Sequence, residues 1–208
     1  NPMPGSNIPM AALGAWILWL GWFGFNGGSE LKVSEVSSAT AVSQVFLNTN
    51  MAAAGGVLTA MLMSLIMTGK MDVTMAINGA IAGLVSITAD PLSPSGGMAI
   101  LVGAIGGAIV YFSIVFLENA GVDDPVGAIS AHGTVGIFGV LAVAFTGGAS
   151  FMGQLIGVLM IAGFTYLASL GTILVIDKLI LPIRASDAEQ EAGLDISEVG
   201  IEAYPEFK

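Results

Sequence analysis

The chain contains one histidine, His132, inside an uncharged segment that is long enough to cross a bilayer. A titratable ring is costly to place in hydrocarbon, so such a residue faces a cavity or a polar pathway more often than lipid. Imidazole also exchanges protons near neutral pH. These properties favour a role for His132 in moving protons. The alternative is a structural hydrogen bond from the ring to a neighbouring helix.

The composition indicates an integral membrane protein. The mean hydropathy is +0.88, 55% of the residues are hydrophobic and 10% are charged, whereas about a quarter of the residues in soluble domains are charged. The formal net charge is -10. The acidic residues are concentrated in the tail that follows Ile183, where acids outnumber the two basic residues, Arg184 and Lys208.

The composition also excludes several functional classes. The chain has no cysteine, and one histidine without a cluster of intramembrane acids argues against a zinc site. There is no basic patch for nucleic acid, and no glycine cluster is followed by the Lys and Ser/Thr of a phosphate loop. The sequence therefore predicts no metal, no cofactor, no nucleic-acid partner and no enzymatic activity.

Six apolar segments must position His132 and its surroundings. Each is near the roughly 20 residues that a membrane helix requires, so the sequence predicts an all-α integral membrane protein with a helical bundle in lipid. The predicted spans are residues 10–28, 38–67, 73–88, 98–117, 126–145 and 151–181. They make up a transmembrane bundle over residues 1–182, which is followed by an acidic tail over residues 183–208.

The basic residues predict how the spans are oriented. If the spans alternate in direction, Lys70, Lys178 and Arg184 lie on one side of the membrane and Lys32 lies on the other. Cytoplasmic loops are enriched in Lys and Arg. We therefore expect a multi-pass protein of the cell membrane with both ends of the chain, including the C-terminal tail, in the cytoplasm.

Glycine spacing predicts close packing between the spans. Small residues four positions apart let helix backbones approach one another in a membrane. Next to His132, Gly133, Gly136 and Gly139 form a further ladder with a spacing of three. The pairs with the spacing G-x-x-x-G are Gly24 and Gly28, Gly79 and Gly83, Gly103 and Gly107, and Gly153 and Gly157.

Several polar and aromatic residues have structural interpretations. Asn48 and Asn50 predict hydrogen bonds between helices, and Trp16 and Trp19 are typical of an interfacial belt or of helix packing. At the fifth helix, Asp123 and Asp124 are expected to cap the N-terminus. Pro125 is expected to be the first residue of that helix. In the tail, Ser186 and Glu189 have the spacing of a capping box.

Four stretches combine into a more specific pattern. They are GWFGFNGGS at Gly21–Ser29, GAIAGLVSIT at Gly79–Thr88, VDDPVGAISAHGTVGIFG at Val122–Gly139, and EAGLD at Glu191–Asp195 with Glu202–Tyr204. In order and spacing they resemble the second half of the ammonium transporters of the Amt/Mep/Rh family. The resemblance covers essentially all 208 residues, and the GWFGFN motif favours the Amt branch over the Rh branch.

The resemblance implies an architecture. Family members have eleven spans, built as two inverted five-span repeats and a long last helix, and they form homotrimers with a pore through each subunit. This chain would hold spans six to eleven. In many bacterial members the tail also meets PII-type signalling proteins.

The resemblance also implies roles for four residues. Ser29 matches a serine that recruits ammonium at an outer vestibule lined by aromatic rings, and Phe25 matches one of two stacked phenylalanines that close the pore. Trp22 matches a pore-lining tryptophan, and His132 matches the second of two histidines that line the narrow part of the pore. In the family mechanism ammonium loses a proton, ammonia crosses the apolar pore, and the proton passes through the histidine pair.

Three functions remain open from the sequence. The first is an ammonium transporter or channel, for which this chain supplies one histidine of the pair. The second is an Amt-like sensor that binds ammonium near Ser29 and Phe25 and signals through its cytoplasmic tail. The third is a structural membrane subunit without a pore.

Overall fold

The computed structural model describes residues 5–202 and 204–205, and within them the secondary structure is helical, without β-strands. The predicted all-α fold is confirmed. The α-helices are α1 (Ile8–Gly28), α2 (Val36–Thr68), α3 (Val73–Thr88), α4 (Gly96–Asn119), α5 (Val135–Thr146), α6 (Phe151–Val175) and α7 (Asp187–Ala192). Three π-helical segments accompany them at Ile129–Thr134, Ile176–Ile180 and Asp195–Val199.

Most of these helices have the length and composition of membrane spans. Within the described residues, the five that are long and apolar enough are α1, α2, α4, the continuous helix Ile129–Thr146 and the continuous helix Phe151–Ile180. The apolar helix α3 has 16 residues and is therefore about 24 Å long, shorter than a bilayer core of about 30 Å. The third predicted span is thus present as a helix with the predicted limits, but it is a short one.

The described residues fall into two units, the first ending at Val158 and the second starting at Leu159. In the first unit, α2 packs along both α3 and α4, which also contact each other, and α1 and α5 lie against α3. In the second unit, the remainder of α6 and the described part of the tail are largely exposed. The prediction that the chain leaves the membrane after residue 182 stays a prediction.

The backbones of α2, α3 and α4 meet at small residues. A Cβ atom added to Gly56 would fall on the carbonyl oxygen of Gly79, and one added to Gly103 would fall on that of Ala52. Side chains there would force the helices apart, so glycine permits the contact. Close packing is therefore confirmed for two of the predicted pairs, Gly79 with Gly83 and Gly103 with Gly107.

The other two predicted pairs do not meet another helix within the described residues, so close packing at these glycines stays a prediction. A Cβ atom at Gly24, Gly28 or Gly157 would have no described atom of another element within 4 Å, and one at Gly153 would meet only Ser150 nearby in sequence. The reason is the position of their helices. The helix α1 turns only one face towards α2 and α3, and α6 has no buried residue.

A buried amide joins α2 to the loop between α3 and α4. The side-chain nitrogen of Asn48 donates to the carbonyl oxygens of Pro91 at 2.9 Å and Pro94 at 2.7 Å. The structural role predicted for Asn48 is confirmed, although its acceptors lie in a loop rather than in a helix. Asn50 is exposed.

The capping box predicted in the tail is confirmed at the start of α7. The Ser186 hydroxyl accepts a hydrogen bond from the backbone amide of Glu189, and the Glu189 carboxylate accepts from the hydroxyl and the backbone amide of Ser186. These bonds lower the pKa of the Glu189 carboxyl, the hydroxyl bond having the larger effect. The charged carboxylate is the form that closes the capping box.

The contact between Gly56 and Gly79 generates a stability prediction. In the complete protein, Gly56→Ala should lower the free energy of unfolding by about 1–3 kcal/mol, because the added methyl group overpacks two touching backbones. The measurement is the thermal midpoint in detergent, followed by size-exclusion chromatography. The matched control is Gly24→Ala, where the methyl group has free space and should leave the midpoint unchanged or raised. Equal midpoints for the two variants would contradict the packing argument.

Candidate functional site

A cavity of about 630 Å³ lies in the first unit, between α1, the end of α3 and the helix that carries His132. Three of its lining residues have polar side-chain atoms, namely Trp22, Thr88 and His132. The others have hydrocarbon side chains or are glycines. They are Ile17, Leu18, Gly21, Phe25, Val85, Ala89, Gly136 and Val140. The cavity is therefore apolar, with one titratable group in its wall.

The structure brings together three of the four residues predicted for the site. The rings of Trp22 and His132 are nearly parallel, with an interplanar angle of 13° and centroids 6.4 Å apart. The ring of Phe25 meets Trp22 edge-on, at 69° and 5.7 Å. Phe25 is 63% exposed and His132 is also exposed. The three rings therefore line a side of the cavity that is open to the surface of the chain.

Trp22 is held in this wall by a hydrogen bond that the sequence did not reveal. Its indole nitrogen donates to the Thr88 hydroxyl oxygen at 2.8 Å, and the Thr88 hydroxyl donates to the Leu84 carbonyl oxygen at 2.7 Å. Thr88 ends the family-like stretch GAIAGLVSIT. A hydroxyl at the end of an apolar helix indicates a hydrogen bond, but the sequence does not identify the partner, because Trp22 lies 66 residues away.

His132 lies in a π-helical segment, Ile129–Thr134, and not in a regular α-helix. Such segments are rare and occur often at functional sites, because the wider turn redirects side chains. The segment is anchored by two buried neighbours, Ala131 and Val135, which belong to the hydrophobic cluster with α3 and α4. Sequence patterns give no local signal for this wider turn.

The glycine ladder beside His132 lets its helix approach α3. A Cβ atom at Gly139 would lie 2.8 Å from the Ser86 carbonyl oxygen, and one at Gly136 would lie 3.8 Å from the Val85 side chain. Gly133 faces only the side chain of Ile129 in its own helix. Two of the three glycines therefore take part in helix packing.

The start of the His132 helix is capped by Asp124. The two carboxylate oxygens of Asp124 accept hydrogen bonds from the backbone amides of Ile129 and Ser130, both at 3.2 Å. The predicted capping role is confirmed for Asp124, whereas Asp123 is exposed. The expectation that Pro125 begins the helix is wrong, because it lies in a turn that precedes the helix. Gly127, with φ of +73°, then redirects the chain into the helix.

Ser29, the fourth predicted residue, does not line the cavity. It is exposed, follows the last residue of α1 and donates its hydroxyl proton to the Phe25 carbonyl oxygen at 3.0 Å. A hydroxyl that donates in this way retains lone pairs that can accept. Ser29 is thus placed one turn beyond Phe25, with its oxygen as an acceptor.

The other two tryptophans of α1 differ from Trp22. Trp19 packs against the buried cluster that includes Leu84 and Val110. Trp16 is 69% exposed. Helix packing, one of the two roles predicted for this pair, is thus present for Trp19, whereas an interfacial position for Trp16 stays a prediction.

The fold and the site together define an α-helical multi-pass membrane protein with a histidine in the wall of an apolar cavity. The model of the Ammonium Transporter Family matches residues 1–204. The chain belongs to the ammonium transporter family.

Similar proteins agree with this membership and with the Amt branch. Ammonium transporter Amt2 of Archaeoglobus fulgidus is 38% identical, over 100% of this chain and 48% of the relative. Ammonium transporter Amt2 of Methanocaldococcus jannaschii is 36% identical, over 99% of this chain and 48% of the relative. The chain therefore spans about half the length of the curated relatives it matches.

Solved structures show the same fold. A structure described as a sensor Amt protein aligns with a TM-score of 0.85 and 32% identity, over 93% of this chain and 49% of that chain. The crystal structure of Mep2 from Candida albicans aligns with a TM-score of 0.77 and 27% identity, over 88% of this chain and 44% of that chain.

The carboxylate cap generates a prediction about local stability. Asp124→Ala removes the acceptor of the Ile129 and Ser130 amides, so it should destabilise the start of the His132 helix by about 0.5–2 kcal/mol. Hydrogen exchange with mass spectrometry on the peptide containing these amides should show faster exchange. Asp123→Ala, at the exposed neighbour, is the matched control and should leave exchange unchanged. Identical exchange in the two variants would contradict the capping role.

Proposed function

We propose that the chain forms part of the pore of an ammonium transporter, and that the cavity beside His132 belongs to the conduction pathway. The observation that carries the proposal is the meeting of Trp22, Phe25 and His132 in the wall of one apolar cavity. The resemblance to the family implies pore roles for these residues, of which Trp22 and Phe25 belong to one stretch of the sequence and His132 to another. Family membership supports ammonium as the substrate.

Ammonium is recruited at the end of α1. The exposed ring of Phe25 offers a face to the cation, an attraction that strengthens as the ion loses water. One turn further, the Ser29 oxygen can accept an N–H bond from the ion, because its own proton is donated to the Phe25 carbonyl. Ring and hydroxyl thus replace part of the hydration shell of ammonium before it reaches the cavity.

The apolar wall separates the proton from ammonia. An ion without a partner is far more costly than a neutral molecule in a cavity of hydrocarbon side chains. Ammonium can avoid this cost by giving up a proton, which leaves neutral ammonia to cross. His132 is the titratable group in the wall and receives the proton, because imidazole binds and releases protons near neutral pH. The ring then passes the proton along the histidine pair and returns to its neutral form, so that the proton crosses separately from ammonia. Potassium has no proton to release and is excluded.

The remaining parts of the proposal rest on family resemblance and on charge. The first pore histidine and the second gate phenylalanine would come from a segment outside this chain, and the complete protein would be a homotrimer surrounded by lipid. Lys70, Lys178 and Arg184 support a cytoplasmic C-terminus. A PII-type signalling protein would bind at the acidic tail after Ile183.

An ammonium sensor is the second candidate, favoured by one observation. The similar structure described as a sensor Amt protein has a TM-score of 0.85, compared with 0.77 for Mep2. A sensor would use the same site near Ser29 and Phe25 for binding and would signal through the tail. Continuation of the gene into a kinase or cyclase domain after Lys208 would favour sensing over transport.

The proton-transfer proposal predicts the effect of His132→Ala in the complete protein. Loss of the proton-exchanging ring should reduce the ammonium-dependent current by about 100-fold or more, the scale of proton-transfer catalysis. The measurement is electrophysiology on reconstituted protein, with the amount of folded protein matched. An undiminished, ammonium-selective current would contradict the role of His132 in proton transfer.

The gate proposal predicts the effect of Phe25→Ala. Loss of the ring removes both the cation contact and the closure of the cavity, so uptake of methylammonium should saturate at higher concentration and selectivity over potassium should fall. The matched control is Phe116→Ala on α4, which removes a similarly exposed ring, 69% against 63%, outside this cavity. Unchanged uptake and selectivity in Phe25→Ala would exclude a gating role.

A further inference from the structure

We propose that Thr88 is a positioning residue that keeps the indole N–H of Trp22 away from the transported molecule. This role rests on the proposed function. The Trp22 indole nitrogen donates to the Thr88 hydroxyl oxygen at 2.8 Å. Both residues line the cavity, and they lie on different helices, Trp22 on α1 and Thr88 at the last position of α3.

The indole N–H can only donate, so the Thr88 hydroxyl oxygen is the acceptor in this hydrogen bond. A hydroxyl has one proton to donate, and that of Thr88 goes to the Leu84 carbonyl oxygen at 2.7 Å. The oxygen of Thr88 is therefore left as an acceptor towards the indole. Three groups form one chain, from the indole N–H to the hydroxyl to the carbonyl, and each bond in such a chain polarises the next.

This arrangement determines which surface Trp22 shows to the cavity. With its N–H held by Thr88, the indole lies parallel to the His132 ring, at 13°, and edge-on to Phe25, at 69°. One hydroxyl on α3 thus sets the plane of the ring that lies between two residues of the site. Rotation of the indole away from Thr88 would change both contacts.

The arrangement also suits the chemistry of ammonia. Ammonia has one lone pair, and an unsatisfied indole N–H in an apolar cavity would bind it without competition from water. By accepting the indole proton, Thr88 removes this competing donor. His132 remains as the group in the wall that exchanges protons, and ammonia moves past the indole without being held there.

The test compares three variants of the complete protein. Thr88→Val keeps the shape and removes the hydroxyl, whereas Thr88→Ser keeps the hydroxyl. Thr172→Val is the matched control, because the Thr172 hydroxyl makes the same kind of bond, to the Ala168 carbonyl oxygen at 2.8 Å. Two quantities are measured: the indole N–H resonance of Trp22 by nuclear magnetic resonance, assigned by its loss in Trp22→Phe, and the saturation kinetics of methylammonium uptake.

In Thr88→Val we expect the Trp22 indole proton to move upfield and to exchange faster with solvent. We also expect the maximal uptake rate to fall about three- to tenfold, the range of one lost hydrogen bond, with a lower KM because the freed N–H holds the substrate. Thr88→Ser and Thr172→Val should behave like the wild type. A lower KM together with a lower maximal rate distinguishes this role from a merely structural one, which would not lower KM.

Two results would overturn the positioning role. One is an indole resonance that does not move in Thr88→Val, and the other is an unchanged maximal rate and KM in that variant. Absence of uptake by the wild type contradicts the proposed function instead. The indole resonance does not depend on transport, so the two failures are distinguishable.

Discussion

The backbone contact of α2, α3 and α4 is the constraint on which the rest of the structure depends. Lipid tails are as apolar as leucine, so helices in a membrane gain little from hydrophobic burial and associate through close packing. Here a Cβ atom at Gly103 would clash with the carbonyl oxygen of Ala52, and one at Gly56 would clash with the carbonyl oxygen of Gly79. The glycines therefore fix α2 against both α3 and α4, and they hold α3 at this backbone contact.

The site depends on this fixed helix more than on the helices that carry its rings. Trp22 is held by Thr88 at the end of α3, and the His132 helix approaches α3 where Gly139 faces Ser86. At the N-terminal end of the His132 helix, the Asp124 carboxylate accepts hydrogen bonds from two backbone amides. The two rings belong to different helices but share α3 as their support, which explains how they remain nearly parallel.

The sequence predicted the helices and selected three residues that the structure places at one cavity. Long apolar runs predicted the spans, and the family-like motifs selected Trp22, Phe25 and His132. The π-helical segment around His132 was missed because it depends on tertiary packing of Ala131 and Val135. Thr88 was missed because its partner is distant in sequence. Glycine spacing could not tell which pairs face a neighbour, because the same motif occurs on the outward face of α1.

Separate passage of ammonia and its proton is the central claim, and it is tested most directly by electrical recording on proteoliposomes that contain the complete wild-type protein. We expect an inward current when ammonium is added and no current when potassium is added at the same concentration. In the proposed mechanism only ammonium can give its proton to His132, and the proton then crosses through the histidine pair while ammonia crosses the apolar cavity. Equal currents for the two ions, or uptake of ammonium without any current, would contradict the claim.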